Sequence, residues 1–187
     1  MRSKPFHSKT LSILGTLSLI ALLGLFSACK SYHLGSPVEI PFKSIYINPV
    51  ENNSFAPQAQ AIISAMLREN FIRDARVKVV TDAASADAVL DVTLTDYERN
   101  ATARNPDDTT VADVFDLTLI ASVSLIDPST GNYFFENRSL QTTTNAYTAN
   151  PFQDDSVINY QLSERQSMEQ LSRELARSIT NEVLSPW

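Results

Sequence analysis

Cys29 is the one thiol in this 187-residue chain, and it directly follows the small pair Ser27-Ala28 at the end of an apolar run. A thiol in that place is an acceptor for covalent modification, and no second cysteine exists to form a disulfide with it. Other groups able to do chemistry are sparse. The histidines are His7 and His33, both near the start, so a Ser-His-Asp relay or a multi-histidine metal centre in the later chain is excluded. No serine lies in a nucleophile-elbow sequence, and Gly15, Gly24, Gly35 and Gly131 build no phosphate-cradling loop. Asp107-Asp108 and Asp154-Asp155 are paired carboxylates in polar stretches and read as solvated loop acids, not a cation site. The expectation is a protein that is not an enzyme and carries no metal or cofactor.

The elements before Cys29 explain its position. Arg2, Lys4 and Lys9 give a positive start, Leu11 to Phe26 is apolar, and small residues precede the cysteine. That is the three-part layout of a bacterial export signal. Ser12, Thr16 and Ser18 interrupt the apolar run, which is shorter than the roughly 20 residues that a membrane-spanning helix needs. Leu25-Phe26-Ser27-Ala28-Cys29 resembles the lipobox of bacterial lipoproteins, in which the cysteine is acylated and becomes the mature N-terminus. Residues 1–28 are therefore expected to be removed and the protein anchored to a membrane through an acylated (palmitate-type) Cys29, without spanning it. Residues 29–44, with Gly35, Pro37 and Pro41, read as the lipidated N-terminus and a short tether. Lys30, after the anchor, favours delivery to the outer membrane.

The remaining 159 residues, 29–187, are one domain's worth, with the folded domain itself expected at 45–187. They hold 12 basic and 21 acidic residues, a net charge of −9, which is poorly suited to binding nucleic acid. With Cys29 acylated, a packed core must hold the fold.

Ser44 to Val50 is a short β-rich run that Pro49 ends, followed by a turn cluster at Glu51–Ser54. Pro57 suits a first helical position, and Ala59, Ile62, Ile63, Met66, Leu67 and Phe71 recur at helical spacing. Val77–Val80 is a second strand, placed for parallel pairing with the first. Ala88, Leu90, Val92 and Leu94 mark one face of a strand running to about Arg99, and Asn100–Asp113 reads as a loop. Phe115 to Leu125 is the cleanest alternating run, Asp127–Asn132 is a turn, and Tyr133 to about Thr144 pairs back as a hairpin. These three strands predict an antiparallel meander with one solvated face. Ala146–Ser156 reads as a second loop whose acids suit a helix start. Leu162, Met168, Leu171, Leu175, Ile179 and Val183 then mark the stripe of a closing helix, with Glu164 and Arg165 among its solvated residues. The expected fold is α+β: two helices packed on one face of a mixed four- to five-stranded sheet.

Several pieces in this order resemble the lipopolysaccharide-assembly lipoprotein (LptE) family. They are Cys29 with Ser31-Tyr32-His33-Leu34-Gly35, then Ile45-Tyr46-Ile47-Asn48-Pro49-Val50-Glu51-Asn52, Leu67-Arg68-Glu69-Asn70-Phe71, Ala86-Asp87-Ala88-Val89-Leu90, and the closing amphipathic helix. The resemblance covers nearly the whole mature chain. It implies an outer-membrane lipoprotein on the periplasmic face that helps the β-barrel protein LptD assemble, plugs it, and contacts lipopolysaccharide. Arg99, Arg104 and Arg138 are the candidates for lipopolysaccharide contact, as a local basic spot on an acidic domain. They also read as ordinary surface arginines paired with Glu98, Asp107 or Glu136. The start of the domain is similar, too, to envelope lipoproteins of the LpoB and CsgG type, a cell-wall synthase activator and a secretion-channel subunit. A channel subunit would be expected to carry a further membrane hairpin, for which 159 residues leave little room, and an activator a longer tether than Lys30–Lys43; this stands as the alternative reading.

Overall fold

The computed structural model of the protein describes residues 40–104, 112–148 and 160–185. Its first strand, β1 (Ser44–Ile47), buries Ile45 and Ile47 and turns Ser44 and Tyr46 to the other face, as period-two alternation requires. Pro49 interrupts this strand but does not end the pairing. Asn48 still donates to the Leu90 carbonyl at 3.0 Å, and the chain resumes as β2 (Glu51–Asn52). The expected turn cluster thus begins with two strand residues. A proline lacks only its own N–H, and residues on either side can keep bonding to the neighbouring strand.

Helix α1 (Pro57–Asp74) starts on Pro57, whose missing N–H costs nothing at a first helical position. Ala59, Ile63, Leu67 and Phe71, four residues apart, form a stripe with 0% exposure. The helix stops at Ala75 in the left-handed conformation, φ 60°. Strand β3 (Lys78–Val79) then pairs parallel with β1, and a short 3-10 turn over Ala83–Ser85, capped by the Asp82 carboxylate, leads to β4 (Ala88–Arg104). Asp87 ties the two strand starts together. Its carboxylate accepts the main-chain N–H of Lys43 at 3.0 Å and of Ser44 at 2.9 Å. These bonds, the Lys43 N–H foremost, hold its carboxyl below the usual carboxylate range.

Strands β4, β5 (Ala112–Ile126) and β6 (Tyr133–Tyr147) form the expected antiparallel meander, closed between β5 and β6 at Asp127–Asn132. Gly131 takes a positive φ of 72° there, a conformation that glycine adopts without Cβ strain. The sheet is mixed and six-stranded, in the order β3-β1-β4-β5-β6 with β2 beside β4. Helix α2 (Tyr160–Leu184) buries Leu171, Leu175, Ile179 and Val183 against α1 and the sheet, so both helices cover the same face. The architecture is α+β, as the periodicities predict.

Four details differ from the sequence expectations. Residues Asn100–Arg104 and Ala112–Asp113, expected in a loop, extend β4 and β5. Ala146 and Tyr147 likewise belong to β6, with Ala146 fully buried. Polar residues sustain these extensions because the outer part of the hairpin is solvated and its ladder needs no apolar face. Leu162, placed on the α2 stripe, is 52% exposed. The stripe that packs begins later, at Ser167 and Met168.

Candidate functional site

A cleft of about 310 Å³ opens where the starts of α1 and α2 meet the middle of β4. Phe55, Gln58, Tyr97, Arg99, Glu164 and Arg165 line it, with Met168 beside them. A register shift between Leu94 and Asp96 creates the site. This bulge resets the alternation of β4, so that Leu94 and Tyr97 both turn toward the helices and Arg99 follows on the same side.

The polar contacts of the cleft form one chain. The Tyr97 hydroxyl donates to Glu164 Oε1 at 2.8 Å, and Arg99 Nη1 donates to the same oxygen at 3.3 Å. The Arg99 guanidinium also lies 5.7 Å from the centre of the Tyr97 ring. Burial, with the Glu164 carboxylate second, pushes the Tyr97 hydroxyl well above the ordinary phenol range. Tyr160, stacked obliquely on Phe115 at 5.1 Å, raises the Arg99 pKa foremost through its hydroxyl. Phe55, 88% exposed, stands at the rim. Arginines beside aromatic and thioether surface make a place to hold an anionic, partly apolar group. Among the described residues no three His, Cys, Asp or Glu side chains gather to hold a metal. No helix among the described residues is long and apolar enough to cross a membrane.

Tyr97→Phe is expected to cost about 1–2 kcal/mol, because it removes a buried hydrogen bond to a carboxylate. Urea unfolding measures this. Since the folded state raises the Tyr97 pKa above its ordinary 10.0, the stability tied to its protonated form is complete below that pH and is lost as pH rises above it. The wild-type protein should therefore lose stability more steeply at alkaline pH than Tyr97→Phe.

The three candidate arginines are not gathered into one spot. Arg99 pairs with Glu164 near the start of α2, and Arg138 pairs with Glu182 near its end while lying over the Phe135 ring at 4.5 Å. Those two glutamates are 18 residues apart on one helix, about 27 Å at 1.5 Å per residue. Arg104 is exposed at the far end of β4, roughly 15 Å along the strand from Arg99. Among the described residues the ion-pair partners of Arg99 and Arg138 are thus helix residues, not Glu98 or Glu136, and Glu164 is not simply solvated. Cys29, His33, Asp107, Asp108, Asp154 and Asp155 lie outside the described residues.

The sequence reading missed Tyr97, Glu164 and Phe55 as parts of a site. The one available signal was Tyr97 itself, a large residue out of phase with Leu90, Val92 and Leu94.

The LptE family profile, described as lipopolysaccharide-assembly, matches residues 42–183. No curated protein matches the chain significantly. Among solved structures, an uncharacterized lipoprotein B from Nitrosomonas europaea is similar with TM-score 0.51 and 18% identity, over 80% of this chain and 84% of that one. A hypothetical protein from Chlamydia trachomatis has TM-score 0.54 at 10% identity, covering 76% of this chain and 95% of that one. A protein from Xanthomonas campestris has TM-score 0.55 at 8% identity, covering 76% and 83%. At these identities the likeness is one of fold. The profile match takes in every described strand and both helices nearly to the end of α2. The chain belongs to the LptE lipopolysaccharide-assembly family.

Proposed function

We propose that the protein is an outer-membrane lipoprotein, acylated at Cys29, that assists assembly of an LptD-type β-barrel and plugs it during lipopolysaccharide transport to the cell surface. The observation that carries this reading is the family match across residues 42–183, the whole described fold except its outermost residues. The physical character of the molecule supports it. A domain whose sheet leaves one face lined by Thr93, Thr118, Ser122, Gln141 and Thr143 is compatible with a barrel lumen, which is polar inside. Arg99 at the cleft, Arg104 at the end of β4 and Arg138 at the opposite end of α2 are the proposed lipopolysaccharide contacts, acting as separate points and not as one patch.

The test is an affinity pull-down of the tagged, acylated protein from detergent-solubilised outer membranes of its own host, with the partner identified by mass. A large β-barrel at near-equal stoichiometry is the expected result. Recovery of a cell-wall synthase, or of no barrel, would overturn the reading. With the barrel in hand, Arg99→Ala, Arg104→Ala and Arg138→Ala are each expected to lower lipopolysaccharide capture without lowering barrel recovery.

A further inference from the structure

β6 is an outer strand of the sheet, and its free edge is handled differently along its length. In an antiparallel ladder, alternate residues direct both main-chain groups toward the same neighbour. Thr148 N donates to the Asp113 carbonyl at 3.0 Å, which sets the phase: the even-numbered residues of this stretch bond to β5. Ser139, Gln141, Thr143, Asn145 and Tyr147 therefore turn their N–H and C=O groups outward. At the last two, α2 takes up one group of each. The Tyr147 N–H donates to the Ser163 hydroxyl at 2.9 Å, and the Asn145 carbonyl accepts from the Ser167 hydroxyl at 2.8 Å. At the other end, Asn137 sits in a bulge with φ 51° and directs its N–H inward to Ser124 Oγ at 2.9 Å.

Between these limits, the outward N–H and C=O groups of Ser139, Gln141 and Thr143 meet no strand and no side chain among the described residues. Farther along α2, Gln170 bonds to Glu174 at 3.0 Å instead of reaching the strand. The stretch from Ser139 to Tyr147 also contains no charged residue and no proline. Charge, proline, a bulge or shortness normally blunts an edge against pairing. On the opposite side the outer strands β3 and β2 are two residues long each, and the part of β4 beyond them carries Glu98, Arg99 and Arg104. Among the described residues the β6 edge is blunted at both ends and open in the middle.

We propose that the Ser139–Thr143 edge of β6 is a strand-addition site, and that its occupant is an extended, uncharged segment of the barrel protein. This second part rests on the function proposed above. A second copy of the chain is the poorer occupant. The open window is five residues long, and pairing two such windows falls far short of the about 1,200 Å² that a stable interface buries. A single extended segment needs no such area when it is already held beside the edge, and its main chain gains up to six hydrogen bonds. The side chains of Ser139, Gln141 and Thr143 stand exposed on the open face, with Thr143 held to Thr118 by a 2.9 Å hydroxyl bond. Segment residues on that face would lie beside hydroxyls and an amide, so serine, threonine, asparagine or glutamine fit there.

The test compares amide hydrogen exchange of the full acylated chain alone and in its complex with the host's barrel protein, alongside barrel recovery by Gln141→Pro. Proline at 141 removes an outward N–H and leaves the β5 ladder intact. The expected result is at least tenfold slower exchange at Ser139, Gln141 and Thr143 in the complex. At least tenfold less barrel should be recovered by Gln141→Pro, with circular dichroism unchanged. Wild-type barrel recovery with unprotected amides and a fully competent Gln141→Pro overturns the strand-addition site and leaves the proposed function standing. No barrel with the wild-type chain overturns both. Should Gln141→Pro fail to fold, protection or its absence in the wild-type complex decides alone.

Discussion

Phe71→Ala should lower the unfolding free energy by about 3–5 kcal/mol, the range for deleting a buried aromatic ring from a packed core. Phe71 is 0% exposed at the end of the α1 stripe and belongs to the same core cluster as Leu171, Leu175 and Ile179 of α2. Full burial in a core shared by both helices and the sheet leaves little scope for collapse into the cavity. Net stabilities of single domains are about 5–15 kcal/mol, so the loss is a large share of the whole. Urea unfolding followed by circular dichroism measures it as a shift of the midpoint at an unchanged slope. Leu162→Ala supplies the comparison. That leucine is 52% exposed on the first turn of α2, and its truncation should change stability by no more than about 0.5 kcal/mol. Equal losses at the two positions would contradict the packing described for α2.

Cys29→Ala should abolish membrane attachment. Each acyl methylene contributes about 0.8 kcal/mol of bilayer affinity, and stable anchoring needs more than one chain, which a triacylated cysteine supplies. No helix among the described residues is long and apolar enough to cross the bilayer. Fractionation of the host should place the wild-type protein with the outer membrane and move Cys29→Ala out of it. The intact mass of the wild-type chain should show removal of residues 1–28 and addition of the acyl groups. An unmodified thiol at residue 29 in a membrane-bound protein would contradict the proposed anchor.

Much of this architecture was legible because its signals are local. Ala59, Ile63, Leu67 and Phe71 carry the α1 period in their spacing, and Leu117 to Leu125 carry that of β5. Pro57 and Gly131 each suit one backbone conformation, and each is found in it. The boundaries were less legible. Asn100–Arg104 and Ala146–Tyr147 read as loop because polar residues hide the strand period, yet a partner strand is all an extended backbone needs. The expectation of a single arginine spot gave way for a related reason. Arg99 and Arg138 look close when the hairpin is read as three aligned segments, but the register sets Arg138 beside Val123 and Val92, seven residues along β4 from Arg99.

The sequence by itself determined the fold class of the protein: two helices with apolar stripes and an alternating antiparallel meander, joined as α+β. Those are properties of composition and of periods within one element. The tertiary structure decided what meets what. A single bulge after Leu94 turns Tyr97 and Arg99 toward Glu164, two serines of α2 close one end of the β6 edge, and Asn137 closes the other. Each of these pairings joins residues far apart in the chain, so it depends on register and helix placement, which no local pattern encodes.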